Sequence, residues 1–245
     1  MKGLTVLDAL VRAGSDQSVT DLANRLGLVR SNVHRTLQTL VHAGYAEKAG
    51  ESGRYRPALR LWELGNLVVQ RLDVNDIARP VLEELARKTG ETALLAVLDG
   101  LEVIYLQRVE STRAVQTTMR VGARAPAHCT APGKAMLAWL PAETLKALPL
   151  TFERHSDTTI TRRAALLKEL ERTRLQGYST NRSEWSQGVN GVAAPVCSQG
   201  HRMVAAINLS GPDTRIGEAE LRKLGAQVRE AAALVSQRLG DSIDS

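Results

Sequence analysis

Between Arg30 and Thr39 the chain concentrates side chains that can read a polymer of bases. On a helical wheel of about 100° per residue, Ser31, Asn32, Arg35, Gln38 and Thr39 share one arc. Val33, Leu37, Leu40 and Val41 occupy the opposite arc and can anchor the helix, while His34 and Thr36 sit on the flanks. Arg can bridge the two acceptors of guanine, and Asn or Gln can pair with adenine, so the polar arc carries the groups that major-groove readout needs. No acidic residue occurs between Asp21 and Glu47, a window that holds Arg25, Arg30 and Arg35. Lys48, Arg54 and Arg56 follow within a glycine-rich hairpin sequence, suited to phosphate contacts. A polar helix face alone is also what a solvated surface looks like. The conjunction of arc, acid-free window and basic hairpin points to DNA.

A second group of residues invites an enzymatic reading. His128-Cys129 pairs a thiol with a base, the pattern of an activated nucleophile. Neighbours on an extended segment point to opposite sides, so a packed Cys and a surface His are expected instead. Ala131-Pro132-Gly133-Lys134-Ala135 resembles a phosphate loop only in part, with His128 where its first Gly belongs and Ala135 where its Ser/Thr belongs. Cys197 and His201 could join His128 and Cys129 around a metal, but no tight ligand spacing supports it. The expectation is therefore no catalytic residue, no metal and no cofactor. Thr130 is expected to cap a helix from Pro132, leaving amides for a carboxylate, although Pro132 removes one donor.

The elements that must position these groups follow from periodicity. Leu4, Leu7, Leu10 and Val11 define a first helix ended by Gly14, and Thr20 is placed to cap a second that stops at Gly27. A third runs from near Ser31 to His42. Extended pieces at Tyr45–Lys48 and Arg54–Pro57 form a hairpin across two glycines. Leu61, Leu64, Leu67 and Val68 make one helical stripe, and Ile77, Val81, Leu82 and Leu85 another, with a break at Leu72–Asn75. They read equally as two core helices or as a linker helix that helps dimerise. Beyond Gly90 strands are predicted at Thr92–Leu98, Glu102–Val109, Ala114–Met119, Gly188–Val196 and Arg202–Leu209. Helices are predicted at Pro132–Leu140, Thr161–Leu175 and Ile216–Leu239. Strands, then helices, then strands imply an α+β fold with a largely antiparallel sheet. The divisions are 1–58 for the winged helix-turn-helix, 59–74 for the linker helix and 75–245 for the second domain.

Composition narrows the class. The 245 residues carry a net charge of +6, and the first sixty hold nine Lys/Arg against five Asp/Glu, a balance that suits a polyanion. Two cysteines make a disulfide scaffold implausible and fit a reducing cytoplasm. No apolar run approaches the roughly 20 residues that span a bilayer. A single Phe, Phe152, leaves the core to Leu, Val, Ala and Ile.

With these elements laid out, a resemblance emerges. Val19-Thr20-Asp21-Leu22-Ala23 and Gly27-Leu28-Val29-Arg30-Ser31-Asn32-Val33-His34-Arg35-Thr36-Leu37 are similar to the DNA-binding domain of IclR-type transcriptional regulators. Ala131-Pro132-Gly133-Lys134-Ala135-Met136-Leu137-Ala138, Gly177-Tyr178, Glu184, Gly188-Val189, Ala193-Ala194-Pro195-Val196 and Leu209-Ser210-Gly211-Pro212 agree in the second half. The resemblance implies a linker helix, a GAF-like effector domain, and dimers or tetramers that bind double-stranded DNA at a palindromic or pseudo-palindromic operator. It places a small-molecule effector among Ala131, Pro132, Asn181, Gly191, Asn208 and Ser210. Members that sense glyoxylate-like acids carry Asp at the Asn181 position, Cys at Gly191 and Ser at Asn208. The departures imply a bulkier organic acid or polar aromatic compound held by Asn181, Asn208 and Ser210; the alternative is that the amides cap turns and strand ends. Two competing functions remain: an enzyme of small-acid metabolism with a basic docking domain, and a winged-helix adaptor for another protein.

Overall fold

The computed structural model describes residues 2–50, 52–70, 73–111, 113, 119–198 and 202–241. The chain divides into two compact units, Met1–Arg71 and Leu72–Ser245.

In the first unit, α1 (Lys2–Arg12), α2 (Val19–Leu26) and α3 (Arg30–His42) enclose a core of Val6, Leu10, Leu22, Val33, Leu37 and Tyr55. The sequence misplaces two details. Helix α1 has two apolar stripes, and the one turned inward is Val6, Ala9 and Leu10; Leu4 is 74% exposed and Val11 is exposed too. Periodicity cannot distinguish a stripe that packs within the unit from one left outside it. Ser18, not Thr20, caps α2: its hydroxyl accepts the Asp21 amide while the Asp21 carboxylate accepts the Ser18 amide, both at 3.1 Å. These bonds, with Arg54 and Arg25 adding to them, hold the Asp21 carboxyl below its usual range. Gly27 closes α2 at φ 62°, a left-handed cap that lets the chain turn directly into α3.

Strands β1 (Ala46–Ala49) and β2 (Arg54–Pro57) form the antiparallel hairpin, with Gly50 and Gly53 in its tip at positive φ. A third segment joins it. Gln17 and Tyr55 exchange both backbone hydrogen bonds, at 2.9 and 2.8 Å, which fastens the hairpin to the loop between α1 and α2. Helix α4 (Arg60–Gln70) follows; its Trp62 is 65% exposed, and Leu64, Leu67 and Val68 are exposed beside it.

The second unit opens with α5 (Asp73–Thr89), so Val74 and Asn75, read above as a break, lie in its first turn, and Val74 is buried. A six-stranded antiparallel sheet follows, in the order β5-β4-β3-β8-β7-β6. Its strands are β3 (Thr92–Asp99), β4 (Glu102–Val109), β5 (Arg124–Pro126), β6 (Ser179–Arg182), β7 (Val189–Cys197) and β8 (Met203–Pro212). The expected strand at Ala114–Met119 lies mostly outside the described residues, and Met119 itself is not in a strand. Leu95, Ala194 and Ile207 face α5 and the closing helix α9 (Glu218–Asp241). Leu94, Ala96, Ala193 and Ala206 face the other way, against α6 (Ala131–Leu137) and α8 (Arg163–Gln176), with the short α7 (Ala142–Lys146) between them in sequence. Both faces of the central strands are covered, which explains their nearly unbroken apolar sequences.

Gly133 sets the closest approach on the second face. A Cβ there would stand 2.2 Å from the Ala127 carbonyl oxygen, inside the turn that precedes α6. Gly133→Ala is therefore expected to cost about 1–3 kcal/mol or more through backbone displacement. Gly65→Ala in α4, where nothing lies within 4 Å, should be neutral or stabilising by about 0.5–1 kcal/mol. Urea unfolding of both variants checks the contrast, which equal midpoints would disprove.

Candidate DNA-reading surface and effector cavity

The recognition arc stands outward. Ser31, His34, Arg35, Gln38 and Thr39 are exposed, Asn32 and Thr36 half-buried, while Val33 and Leu37 are fully buried beneath them. Arg30 is exposed at the helix start, where Val29 offers no side-chain cap, so the first-turn amides of α3 are not occupied by a capping group. The polar side chains brace one another: Arg35 Nη2 lies 3.5 Å from Asn32 Oδ1, Gln38 Nε2 3.3 Å from a His34 ring nitrogen, and the Thr39 hydroxyl donates to the Arg35 carbonyl at 3.0 Å.

The hairpin cations are less free than the sequence suggests. Arg54 donates to the Asp16 carbonyl at 2.9 Å and lies 3.6 Å from Asp21, and Arg56 pairs with Glu47 at 3.3 Å. Both pairs are exposed and screened by solvent, so a phosphate can compete for either guanidinium. Lys48 has no ion pair among the described residues.

The second unit holds an open-mouthed cavity of about 510 Å³. Ala131, Asn181, Gly191, Asn208 and Ser210 line it, five of the six positions expected for an effector. Pro132 does not; it is buried at the start of α6, behind the wall. Thr130 lines the cavity but does not cap α6, because its hydroxyl turns back to the Pro126 carbonyl at 2.9 Å. The two amides hold backbone. Asn181 accepts the Glu184 amide at 2.9 Å and donates to the Val189 carbonyl at 3.4 Å. The Asn208 amide, oriented by its surroundings, donates to the Val192 and Leu209 carbonyls at 3.0 and 3.2 Å.

Sequence reasoning missed the rest of the lining, chiefly Tyr105, Trp185 and Arg120. Arg120 is the charged residue among the described lining positions, and it is exposed. Burial pushes the Tyr105 phenol up, keeping it protonated and a donor.

The cavity wall is fixed by an ion pair in the core. Lys134 on α6 is fully buried; its Nζ lies 2.6 Å from Glu184 Oε1 and 3.6 Å from Glu169. Lys134 thus points away from any phosphate, in keeping with the incomplete loop motif. Glu184 precedes Trp185 and Ser186 of the cavity lining, so the pair ties α6 to the β6–β7 loop. Ser179 adds a second tie, donating to the Ala131 carbonyl at 2.5 Å.

His128 departs from expectation. Both it and Cys129 are buried, because the segment Ala127–Cys129 is a 3₁₀ turn and not an extended strand. Burial pushes the Cys129 thiol up to about 12, with the Glu184 carboxylate adding to it, so at neutral pH the sulfur is protonated and not an activated nucleophile. Burial also lowers His128, against its bond to the Glu153 carbonyl. Cys197 is half-buried, and His201 lies outside the described residues.

An outward polar helix over a two-helix anchor, a hairpin wing and a separate cavity-bearing unit define a winged helix-turn-helix transcriptional regulator. Residues 1–50 match the IclR helix-turn-helix domain, and residues 66–237 match the family described as bacterial transcriptional regulator IclR C-terminal. The chain belongs to the IclR family of transcriptional regulators. It is 36% identical to the HTH-type transcriptional regulator XynR of Escherichia coli K12 across 98% of this chain and 96% of that one. The Thermotoga maritima IclR crystal structure is similar, with a TM-score of 0.81 and 30% identity over 98% of this chain and 97% of that one. So is an IclR homologue from Microbacterium hydrocarbonoxydans complexed with 4-hydroxybenzoate, with a TM-score of 0.84 and 28% identity over 97% of each chain. No helix among the described residues is long and apolar enough to cross a membrane.

Removing the buried cation alone should be costly. Lys134→Met leaves the Glu184 carboxylate without its partner and is expected to destabilise the protein by about 3–5 kcal/mol. Adding Glu184→Gln should return part of that loss, because the orphaned charge is gone. Chemical denaturation of the single and double variants measures both; a single-variant loss under about 1 kcal/mol would mean the pair is solvated.

Proposed function

We propose that this regulator reads an operator through Arg35, Gln38, Asn32, Ser31 and Thr39, with the wing supplying phosphate contacts through Lys48, Arg54 and Arg56. Arg30, His34 and Thr36 flank the base-reading arc and touch backbone. The observation that carries the reading is the exposure of Ser31, Arg35, Gln38 and Thr39, with Asn32 half-buried beside them, on a helix whose opposite side buries Val33 and Leu37. Two copies act together on a palindromic or pseudo-palindromic site, as homodimers or tetramers, in the cytoplasm. The exposed apolar side chains of α1 and α4, Leu4, Val11, Trp62, Leu67 and Val68, support self-association, and α4 serves as the linker.

The effector is a bulky or aromatic carboxylate. A cavity of about 510 Å³ is roomy for a two-carbon acid, its walls include Tyr105 and Trp185, and Arg120 provides the countercharge. Gly191 lines the cavity with backbone alone, because a Cβ there would come within 2.8 Å of the Leu209 carbonyl. The homologue that holds 4-hydroxybenzoate supports the same size class. The amides of Asn181 and Asn208 shape the cavity through their backbone bonds and present edges to the ligand. Effector binding favours one arrangement of the paired reading modules over another and so changes operator affinity, with reciprocal coupling.

Duplexes selected from a random pool should bind with affinity that falls linearly in log–log terms as salt rises. Arg35→Ala should reduce discrimination by about 1–3 kcal/mol at one base position, read by fluorescence anisotropy on matched and mutated duplexes. Equal affinity for every duplex tested would defeat the sequence-reading role. Calorimetry with aliphatic and aromatic carboxylates tests the cavity: Arg120→Ala should weaken the best ligand by about tenfold or more. Unchanged affinity in both Arg120→Ala and Asn208→Leu would place the effector elsewhere.

A further inference from the structure

Beside the cavity, the buried turn before α6 and the loop that precedes α8 bring together His128, Cys129 and His155. One potential ligand atom from each lies within 4.8 Å of the others. The 3₁₀ geometry is what makes this possible. Successive side chains are about 120° apart there, so His128 and Cys129 can converge on one point, as they could not from an extended strand.

His128 is held in place. Its ring stacks on Phe152 at a centroid distance of 4.8 Å and 18° between planes. Its Nε2 stands 3.1 Å from the Glu153 carbonyl oxygen. That acceptor assigns the ring proton to Nε2 and leaves the Nδ1 lone pair available, the arrangement by which a backbone carbonyl orients a metal-binding histidine. His155 is exposed, with its ring 5.8 Å from that of His128. Its loop is anchored: Thr159 Oγ1 accepts the His155 and Ser156 amides at 3.1 and 2.8 Å and donates to the Glu184 carbonyl at 2.6 Å. The nearby Lys134 charge is already matched by Glu184.

We propose that His128 Nδ1, Cys129 Sγ and a ring nitrogen of His155 bind a thiophilic divalent cation, with zinc the best match to one thiolate and two imidazoles. Zinc bonds of about 2.0–2.3 Å put tetrahedral ligand atoms roughly 3.3–3.8 Å apart. Closing the cluster from at most 4.8 Å requires about 1 Å of movement, shared between the exposed His155 side chain and the rotamers of the turn. The thiol proton leaves to solvent as the sulfur coordinates, and water completes the fourth position. The ion clamps the 153–160 loop to the turn that leads into Thr130 and Ala131, two residues of the cavity wall.

The test uses the full chain stripped with a chelator, and needs neither DNA nor effector. Zinc titrated in competition with a chromophoric chelator should bind at one ion per chain. Cobalt in its place should give a thiolate-to-metal charge-transfer band in the near ultraviolet. His155→Ala, at an exposed position, should keep the fold and weaken zinc by about tenfold or more. Cys129→Ser should abolish the band, whereas Cys197→Ser should retain it. Should Cys129→Ser fail to fold, the wild-type cobalt spectrum with His155→Ala and Cys197→Ser decides the matter. The proposal is overturned by a cobalt complex without the sulfur band, by equal zinc affinity in His155→Ala, or by loss of the band in Cys197→Ser.

Discussion

A charged lysine at zero exposure is costly without a partner, and the Lys134–Glu184 pair is the constraint around which the second unit is arranged. To reach Glu184 the ammonium must leave α6 on the side facing β6 and β7, which fixes the rotation of that helix. The fixed rotation sends Gly133 against Ala127, where only a hydrogen fits, and carries Ala131 to the cavity wall. Glu184 accepts the Arg182 amide with the same oxygen, so the start of the β6–β7 loop is curled around the pair. The partial likeness to a phosphate loop at residues 131–135 is a by-product of this packing. The Gly is there for close approach and the Lys for the core.

The sheet separates mechanical support from the cavity. One face is sealed by α5 and α9 with side chains such as Leu95, Ile207 and Val228. On the other face, small residues, Ala96, Ala193 and Ala206, let α6 settle close, and the space that α6 leaves uncovered becomes the cavity. Polar groups accumulate at that end because β6 is short and polar and its Asn181 must satisfy the turn that follows. Ser183 in that turn has a φ of 55°, a left-handed conformation held by the Asn181–Glu184 bond and by the Gly188 amide, which donates to the Ser183 hydroxyl.

Much of this was readable from sequence. Helix α3 follows from an apolar arc opposite a polar one, and strands β3 and β4 from apolar, β-rich runs split by the Asp99-Gly100 turn. Five of the six positions expected for an effector line one cavity, but that expectation came from likeness to a family and not from periodicity. What escaped has a physical reason in each case. Strands β5 and β6 have three and four residues, too short to show a period. The inward side of α1 depended on which of two apolar stripes met Leu22 and Leu37. The conformation of His128-Cys129 depended on a 3₁₀ turn that Pro126 and the close approach of Gly133 impose from outside the pair.

The double hydrogen bond between Gln17 and Tyr55 makes the hairpin the edge of a miniature three-stranded arrangement, with the Tyr55 ring sunk in the core. A hairpin of two four-residue strands would be marginal by itself in water. Here its entropy is lost when the domain folds, not when nucleic acid arrives. Contact with a duplex then resembles the meeting of two rigid bodies, and its heat-capacity change should track the surface covered, without the added signature of a segment that orders on contact.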